Sequence, residues 1–271
     1  MTIKRKEKEM DLKNTNLKIS LDRDKAELSF GEGIVFDKQA GKTVSDMEDL
    51  LYDTQIDAEE QLYNFYIGIA DSQHCNIIRG QGLRYDLIVI PAGTVGSEFK
   101  KTSGHRHIGS YPEIYEVLQG TAMFLLQKER NGRVEQFAAV RTKEGEKILV
   151  PPGYTHATVN IGKDPLVFAD VVADACVNEY GIVKENHGMA YYLLKKRDGQ
   201  VGFRKNPYYD AVSEVKEIMP VESAELGLWF QKPVYECLCR DINRYQYLID
   251  PEAYIRQIHY LADIIEEKEK R

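Results

Sequence analysis

The sequence predicts a mainly β fold, a sandwich or barrel of short strands with an N-terminal arm and a C-terminal helical extension. Three observations lead there. From residue 61 to about residue 196 nearly every segment is a short apolar or alternating run closed by glycine, proline or asparagine. No helix-period stretch separates these runs, which is the pattern of sheets packed face to face rather than of a parallel α/β sheet. Two runs flank Asn131-Gly132, a dipeptide that tolerates the positive φ of a tight hairpin turn. Beyond residue 200 the apolar residues change to helical spacing, as a helical appendage requires.

Residues 1–59 form the expected arm, charged and irregular at first, with a candidate strand at Leu17-Lys-Ile-Ser-Leu21. Ser45-Asp-Met-Glu48 then has the capping-box pattern and opens a short helix through Leu50, Leu51 and Tyr52. Residues 60–198 are the expected barrel, with strands read at 61–70, 75–79, 85–91, 113–119, 120–127, 137–140, 147–150, 156–159, 166–172 and 190–194. Residues 199–271 are the expected extension. Asn206-Pro207 reads as the start of a helix through Val212, Val215 and Met219. Asp250-Pro251 opens another, in which Tyr254, Ile255, Ile258, Leu261 and Ile265 recur at helical spacing. That stripe, with Trp229 and Phe230, is expected to pack on the barrel or on a second subunit.

Half of the six histidines fall in two motifs, His105-Arg-His107 followed by Glu113, and Pro151-Pro-Gly153-Tyr-Thr-His156. Residues two apart on a strand project to one face, so His105 and His107 can both point inward while Arg106 points away. Gly109, Ser110 and Pro112 make a turn, after which Glu113 and Tyr115 share a face of the next strand. Pro151-Pro152-Gly153 turns the chain again, and His156 at the following strand supplies a fourth ligand. A lone buried histidine is more often a hydrogen-bonded core residue; three histidines and a glutamate in two turn-flanked motifs favour a metal. The set suits one divalent metal per chain, iron first, with manganese, nickel and zinc as alternatives. His74, His187 and His259 lack such company and are read as surface or structural.

The spacing His105-X-His107-(five)-Glu113-(six)-Gly120, with Gly145-(five)-Pro151-X-Gly153-(two)-His156-(three)-Asn160, resembles the two cupin motifs. Only the leading glycine of the first is missing, and Phe99 stands in its place. More narrowly, Lys101-Thr102-Ser-Gly104-His105-Arg-His107 and Pro112-Glu113-Ile-Tyr115-Glu-Val-Leu-Gln-Gly120 resemble the cupin-type phosphoglucose isomerases, over roughly residues 60–195. The resemblance implies a jelly-roll barrel with the metal in its mouth and the interconversion of glucose 6-phosphate and fructose 6-phosphate. It implies His105, His107, Glu113 and His156 as ligands, Tyr115 as an active-site tyrosine, Thr102 and Gly104 as phosphate contacts, and Tyr180 as a substrate-site tyrosine. Asn178 stands where the family places a histidine. The helical extension lies outside the resemblance.

The chemistry suits the residue types. Aldose–ketose interconversion develops negative charge on the sugar oxygens, which a divalent cation stabilises. In an enediol route Glu113 shuttles a proton and Tyr115 positions or protonates an oxygen; in a hydride route Glu113 is a ligand only. The turn Lys101-Thr102-Ser103-Gly104 offers main-chain N–H groups, hydroxyls and a lysine charge to a phosphate. No GxGxxG or GxxxxGK[ST] stretch occurs, so no nucleotide cofactor is expected. With 36 Lys plus Arg against 43 Asp plus Glu, the net charge of −7 argues against general affinity for nucleic acid or anionic membrane. The charged start, Met-Thr-Ile-Lys-Arg, has no apolar leader, and a cytoplasmic homodimer is expected. Cys75 and Cys176 are read in strands and Cys237-Leu-Cys239 in a helix, with no disulfide framework. Two alternatives stand beside the isomerase: another cupin enzyme, either a different sugar-phosphate isomerase or an iron dioxygenase, and a non-catalytic sugar-phosphate sensor.

Overall fold

The computed structural model describes residues 9–53, 57–109, 111–230 and 232–258. The chain opens with β1 (Glu9–Asp11), β2 (Ile19–Asp22), β3 (Glu27–Phe30), β4 (Ile34–Val35) and β5 (Lys38–Thr43). Next come β6 (Gln61–Ile67), β7 (Ala70–Asp71), helix α1 (Cys75–Gly80), β8 (Leu83–Ile90), β9 (Thr94–Val95) and β10 (Glu98–Phe99). The motif region holds β11 (Arg106–Ile108), β12 (Glu113–Gln119), β13 (Thr121–Arg130), β14 (Arg133–Lys143), β15 (Lys147–Val150) and β16 (Thr155–Asn160). It continues through β17 (Leu166–Ala173), β18 (Val177–Glu179), helix α2 (Gly181–Glu185), β19 (Tyr191–Lys195) and β20 (Val201–Lys205). Last are β21 (Val215–Ile218), helix α3 (Val234–Arg240) and a 3-10 segment, Ile242–Leu248.

Two sheets dominate, ordered β15-β12-β17-β8-β6-β5 and β16-β13-β14-β21. Their pairings are antiparallel except β14–β21, which is parallel. Period-two alternation decides what each strand buries. On β13, Ala122, Phe124 and Leu126 face the other sheet, while Met123 and Leu125 face outward. On β17, Leu166 and Phe168 face inward, and Val167, Ala169 and Val171 outward. Both faces of these strands are covered, which is why their sequences read as nearly unbroken apolar runs. The inner core lies between the sheets. Outside the six-stranded sheet, β1–β3 and residues 226–258 supply a second core; outside the four-stranded sheet, Phe99, Val183, Met189 and Leu193 supply a third.

The fold is therefore mainly β, as expected, with the jelly-roll barrel present as two facing sheets rather than a continuously bonded cylinder. At one end the segment before β11 joins β16 through the bridges Lys101↔Val159 and His105↔His156. The β13–β14 hairpin turns on Asn131 (φ 52°) and Gly132 (φ 74°), both left-handed, as a type I′ turn needs. Among the described residues no helix is long and apolar enough to cross a membrane.

Three local readings are corrected. The expected strand at 75–79 is helix α1. Its β-branched pair splits, Ile78 buried and Ile77 exposed, so one-sided burial outweighs local β preference. The expected helix from Asn206-Pro207 is replaced by turns and β21. Asn206 does not cap a helix. It is fully buried and donates to Asn186 O and Met189 O, and the free edge of β14 takes Val215–Ile218 as a strand. The capping box at Ser45 is not made either; the helical turn there is only Glu48–Leu50 and lacks a side-chain cap. Helix α3 carries Cys237 and Cys239 as expected, while neither of the other two lies in a strand, Cys75 being on α1 and Cys176 between β17 and β18; all four cysteines are free. The helical stripe after Pro251 is described only to Ile258; Leu261 and Ile265, like His259, lie outside the described residues.

A buried ion pair ties the C-terminal segment to the strand bearing Glu113. Lys147 Nζ lies 2.6 Å from Glu116 Oε1, with both side chains almost fully enclosed. Glu116 Oε2 accepts the Val234 N–H of α3 at 2.8 Å.

Candidate metal centre

The four candidate ligands converge at the bridged end of the sheets. His105 and His156 exchange both backbone hydrogen bonds, at 3.0 and 2.8 Å. This fixes the first motif against β16. His107 projects from β11 and Glu113 is the first residue of β12. One ligand atom from each of His105, His107, Glu113 and His156 lies within 4.8 Å of the others. His105 Nε2 and His107 Nε2 are 3.2 Å apart, and Glu113 Oε2 stands 3.1 Å from His156 Nε2 and 3.5 Å from His107 Nε2.

Their surroundings fit a cation. His107 Nδ1 faces Tyr111 O at 2.8 Å and His156 Nδ1 faces Tyr154 O at 3.1 Å. A carbonyl can only accept, so each Nδ1 carries the proton and each Nε2 presents its lone pair to the centre. Glu113 Oε2 and His156 Nε2 are close, but not in hydrogen-bond alignment, and both are buried without a hydrogen-bond partner. Orphaned buried acceptors are costly, and one ion shared by the four would satisfy them. Burial, joined by neighbouring positive charge, holds His105 well below its usual value and His107 below it. Burial alone would raise Glu113, but the imidazoles around it, in their protonated form, outweigh burial and bring the carboxyl down to about 2, so a positive charge at the centre favours the carboxylate. Neutral imidazoles and an ionised carboxylate are the forms that ligate.

A cavity of about 140 Å³ adjoins the cluster, and Thr102, Gly104, Tyr115 and Tyr180 line it with the ligands. Tyr115 is buried on the Glu113 face of β12, its ring 5.7 Å from that of His156. Burial first, then the Glu113 charge, raises its phenol well above the usual value and keeps it protonated. Tyr180 lies 5.6 Å from the His105 ring, and Asn178 donates to its hydroxyl at 3.4 Å. Thr102 Oγ1 accepts the Thr158 N–H at 3.0 Å. Gly104 has φ +77°, and an added Cβ would meet Met189 Sδ at 3.2 Å, so glycine is the residue this turn admits.

Lys101 is not brought to the cavity. Its Nζ pairs with Glu98 Oε1 at 2.5 Å and donates to Leu50 O at 2.7 Å, buried beneath Tyr192. The turn carries no free lysine charge because that charge is used internally. Conversely, Arg84, Asp86 and Asp170 line the cavity without having been marked in the sequence. Arg84 Nε donates to Asp86 Oδ2 at 2.7 Å. Burial raises Asp86 to about 6 against the pull of Arg84, and raises Asp170 well above the usual carboxyl value with Asp86 and Glu113 adding to it. The available signal was an acid interrupting an apolar strand at an inward position, in Leu83-Arg-Tyr-Asp86-Leu-Ile-Val-Ile90 and Leu166-Val-Phe-Ala-Asp170-Val-Val172.

A two-sheet β fold with three histidines and a glutamate converging at one end, beside a polar cavity, defines a cupin-like protein with a candidate metal centre. Residues 41–210 match the family described as glucose-6-phosphate isomerase (GPI), and the chain belongs to that family. It is 32% identical over 131 residues to the glucose-6-phosphate isomerase of Thermococcus onnurineus, covering 48% of this chain and 66% of that protein. Against the glucose-6-phosphate isomerase of Pyrococcus furiosus it is 27% identical over 182 residues, 66% of this chain and 84% of that protein. The chain thus spans slightly under two thirds of the first of these relatives. Among solved structures, oxalate decarboxylase from Bacillus subtilis aligns over 43% of this chain and 27% of that chain, at 24% identity and a TM-score of 0.32. That likeness is too partial to bear on function.

Proposed function

We propose that the protein is a metal-dependent glucose-6-phosphate isomerase, interconverting glucose 6-phosphate and fructose 6-phosphate in the cavity beside Glu113. The observation that carries this reading is the convergence of His105, His107, Glu113 and His156 within 4.8 Å, inside the stretch that matches the isomerase family. His105, His107, Glu113 and His156 would hold one divalent ion, with iron preferred over manganese, nickel and zinc. Bound there, it supplies Lewis-acid stabilisation of negative charge on the two reacting sugar oxygens.

The chain's own residues supply the rest. Thr102 and Gly104 offer a hydroxyl and main-chain groups to the phosphate end of the substrate, and Tyr180 covers the sugar. Tyr115 is a protonated phenol held against the cluster, suited to donate a hydrogen bond to a sugar oxygen. In the enediol route Glu113 takes the proton from one carbon and returns it to its neighbour; in the hydride route Glu113 only ligates. Both routes charge the same oxygens, and deuterium incorporation from solvent into product marks the first and not the second.

The testing experiment is a coupled assay of fructose 6-phosphate conversion on chelator-treated protein resupplied separately with iron, manganese, nickel and zinc. Turnover that vanishes with chelation and returns with metal is expected. Metal binding without turnover under any of the four would overturn the isomerase reading.

A further inference from the structure

Asp170 is 7% exposed and lines the cavity, yet its Oδ1 is fully buried without a hydrogen-bond partner. Unpartnered buried carboxyl oxygens are rare because desolvation is costly and nothing offsets it. The neighbouring cation does not answer the need. Arg84 directs Nε to Asp86 Oδ2 at 2.7 Å, and Asp86 Oδ1 accepts the Gly68 N–H at 2.8 Å. The ion pair is therefore closed around Asp86, and Asp170 stands outside it, its carboxyl set against that of Glu113, another acceptor, with the rest of the group left to the cavity. Sheet register then fixes where Asp170 sits: it is the cross-strand partner of Tyr115 on one side and of Asp86 on the other. Neighbouring strands are about 4.8 Å apart, so its carboxyl lies one strand from the phenol beside the metal ligands.

We infer that Asp170 is a substrate-recognition residue, whose carboxyl group hydrogen-bonds a hydroxyl of the sugar chain bound beside the Glu113 cluster. This rests on the sugar-phosphate reading and adds to it a specificity determinant. A hydroxyl both donates and accepts, so it satisfies a carboxyl in either protonation state. A phosphate group does not suit this wall, because the cation there, Arg84, is already paired with Asp86 and Asp170 offers no positive charge. The phosphate end of the substrate therefore points away from Asp170, toward the turn at Thr102–Gly104. Asp170 thus sets the direction in which the polyol lies as well as selecting for a hydroxyl.

The test uses metal-loaded protein and glucitol 6-phosphate, which cannot isomerise, with its 3-, 4- and 5-deoxy analogues, measured by calorimetry. In the unaltered protein, removing one particular hydroxyl should weaken binding about tenfold to a hundredfold, the effect of deleting a hydrogen bond to a charged or buried group. In Asp170→Val, with metal content measured in parallel, parent and that analogue should bind alike; Asp170→Asn should keep part of the discrimination. A purely structural Asp170 would weaken all the ligands equally, and that result overturns the inference, as does a deoxy series in the unaltered protein with no position costing more than about threefold. If the unaltered protein binds no sugar phosphate, the isomerase reading falls and takes the inference with it. Binding with unchanged discrimination in both variants removes the inference alone.

Discussion

Replacing Lys147 by methionine leaves Glu116 without its cation inside the second core. Both side chains are essentially unexposed and 2.6 Å apart, so solvent cannot take over the lost partner. Breaking a buried pair from one side typically costs about 3–5 kcal/mol. An independent route agrees: bringing a carboxyl with an ordinary value near 4.3 to its neutral form at pH 7 costs about 4 kcal/mol, at about 1.4 kcal/mol per unit. For a chain of this size that corresponds to a fall in Tm of roughly 8–15 °C, read by circular dichroism. The pH dependence follows from the direction of the shift. Burial already raises Glu116 against the opposing pull of Lys147, and removing Lys147 raises it further. Below the unfolded value Glu116 is protonated in both states and carries no charge penalty. The penalty grows as pH rises and is complete above the folded value, so Lys147→Met should differ from the unaltered protein less at pH 5 than at pH 8. Adding Glu116→Leu should restore most of the loss, short of the hydrogen bond to Val234 N–H, about 1 kcal/mol. A single variant within about 2 °C of the unaltered protein, or a deficit that does not change with pH, would refute the reasoning.

His156→Ala should remove bound metal and turnover together while the far-ultraviolet circular dichroism stays that of a β protein; full metal content by elemental analysis would count against the ligand set. Tyr115→Phe keeps the ring between Phe124 and Phe168 and should retain metal while slowing turnover about a hundredfold, the scale of a lost acid–base group. Unchanged kcat would return Tyr115 to cavity lining. Gly104→Ala forces a left-handed φ on alanine at a cost of about 1–2 kcal/mol. Because Gly104 precedes His105, metal affinity should fall with stability in titrations of the apoprotein, and unaltered affinity would show that the strain relaxes away from the site.

The mainly β class was legible in the sequence because alternation and turn residues are local properties. Asn131-Gly132 and the two histidine motifs needed no tertiary information. His105 and His107 share a face through strand period alone, and Glu113 with Tyr115 likewise. The helix at 75–80, the strand at 215–218 and the uncapped turn at 48–50 were not legible. For the helix and the strand the outcome was set by which core or sheet edge was nearby; at the turn, Ser45 and Asp46 bond Thr43 instead of capping.

What the sequence determined was the chemistry available: three imidazoles, one carboxylate and a phenol at spacings that put them on inward faces. What only the tertiary structure decided was which charges remain free. Lys101 lies beside the motif in sequence, yet Glu98 and Leu50 O claim its ammonium. Asp170 lies fourteen residues past His156 in an apolar strand, yet register sets it beside Tyr115 with an unpartnered oxygen. The physical reason is that a charge is satisfied by whatever packs around it, and packing partners are fixed by strand register across the sheets rather than by neighbours along the chain.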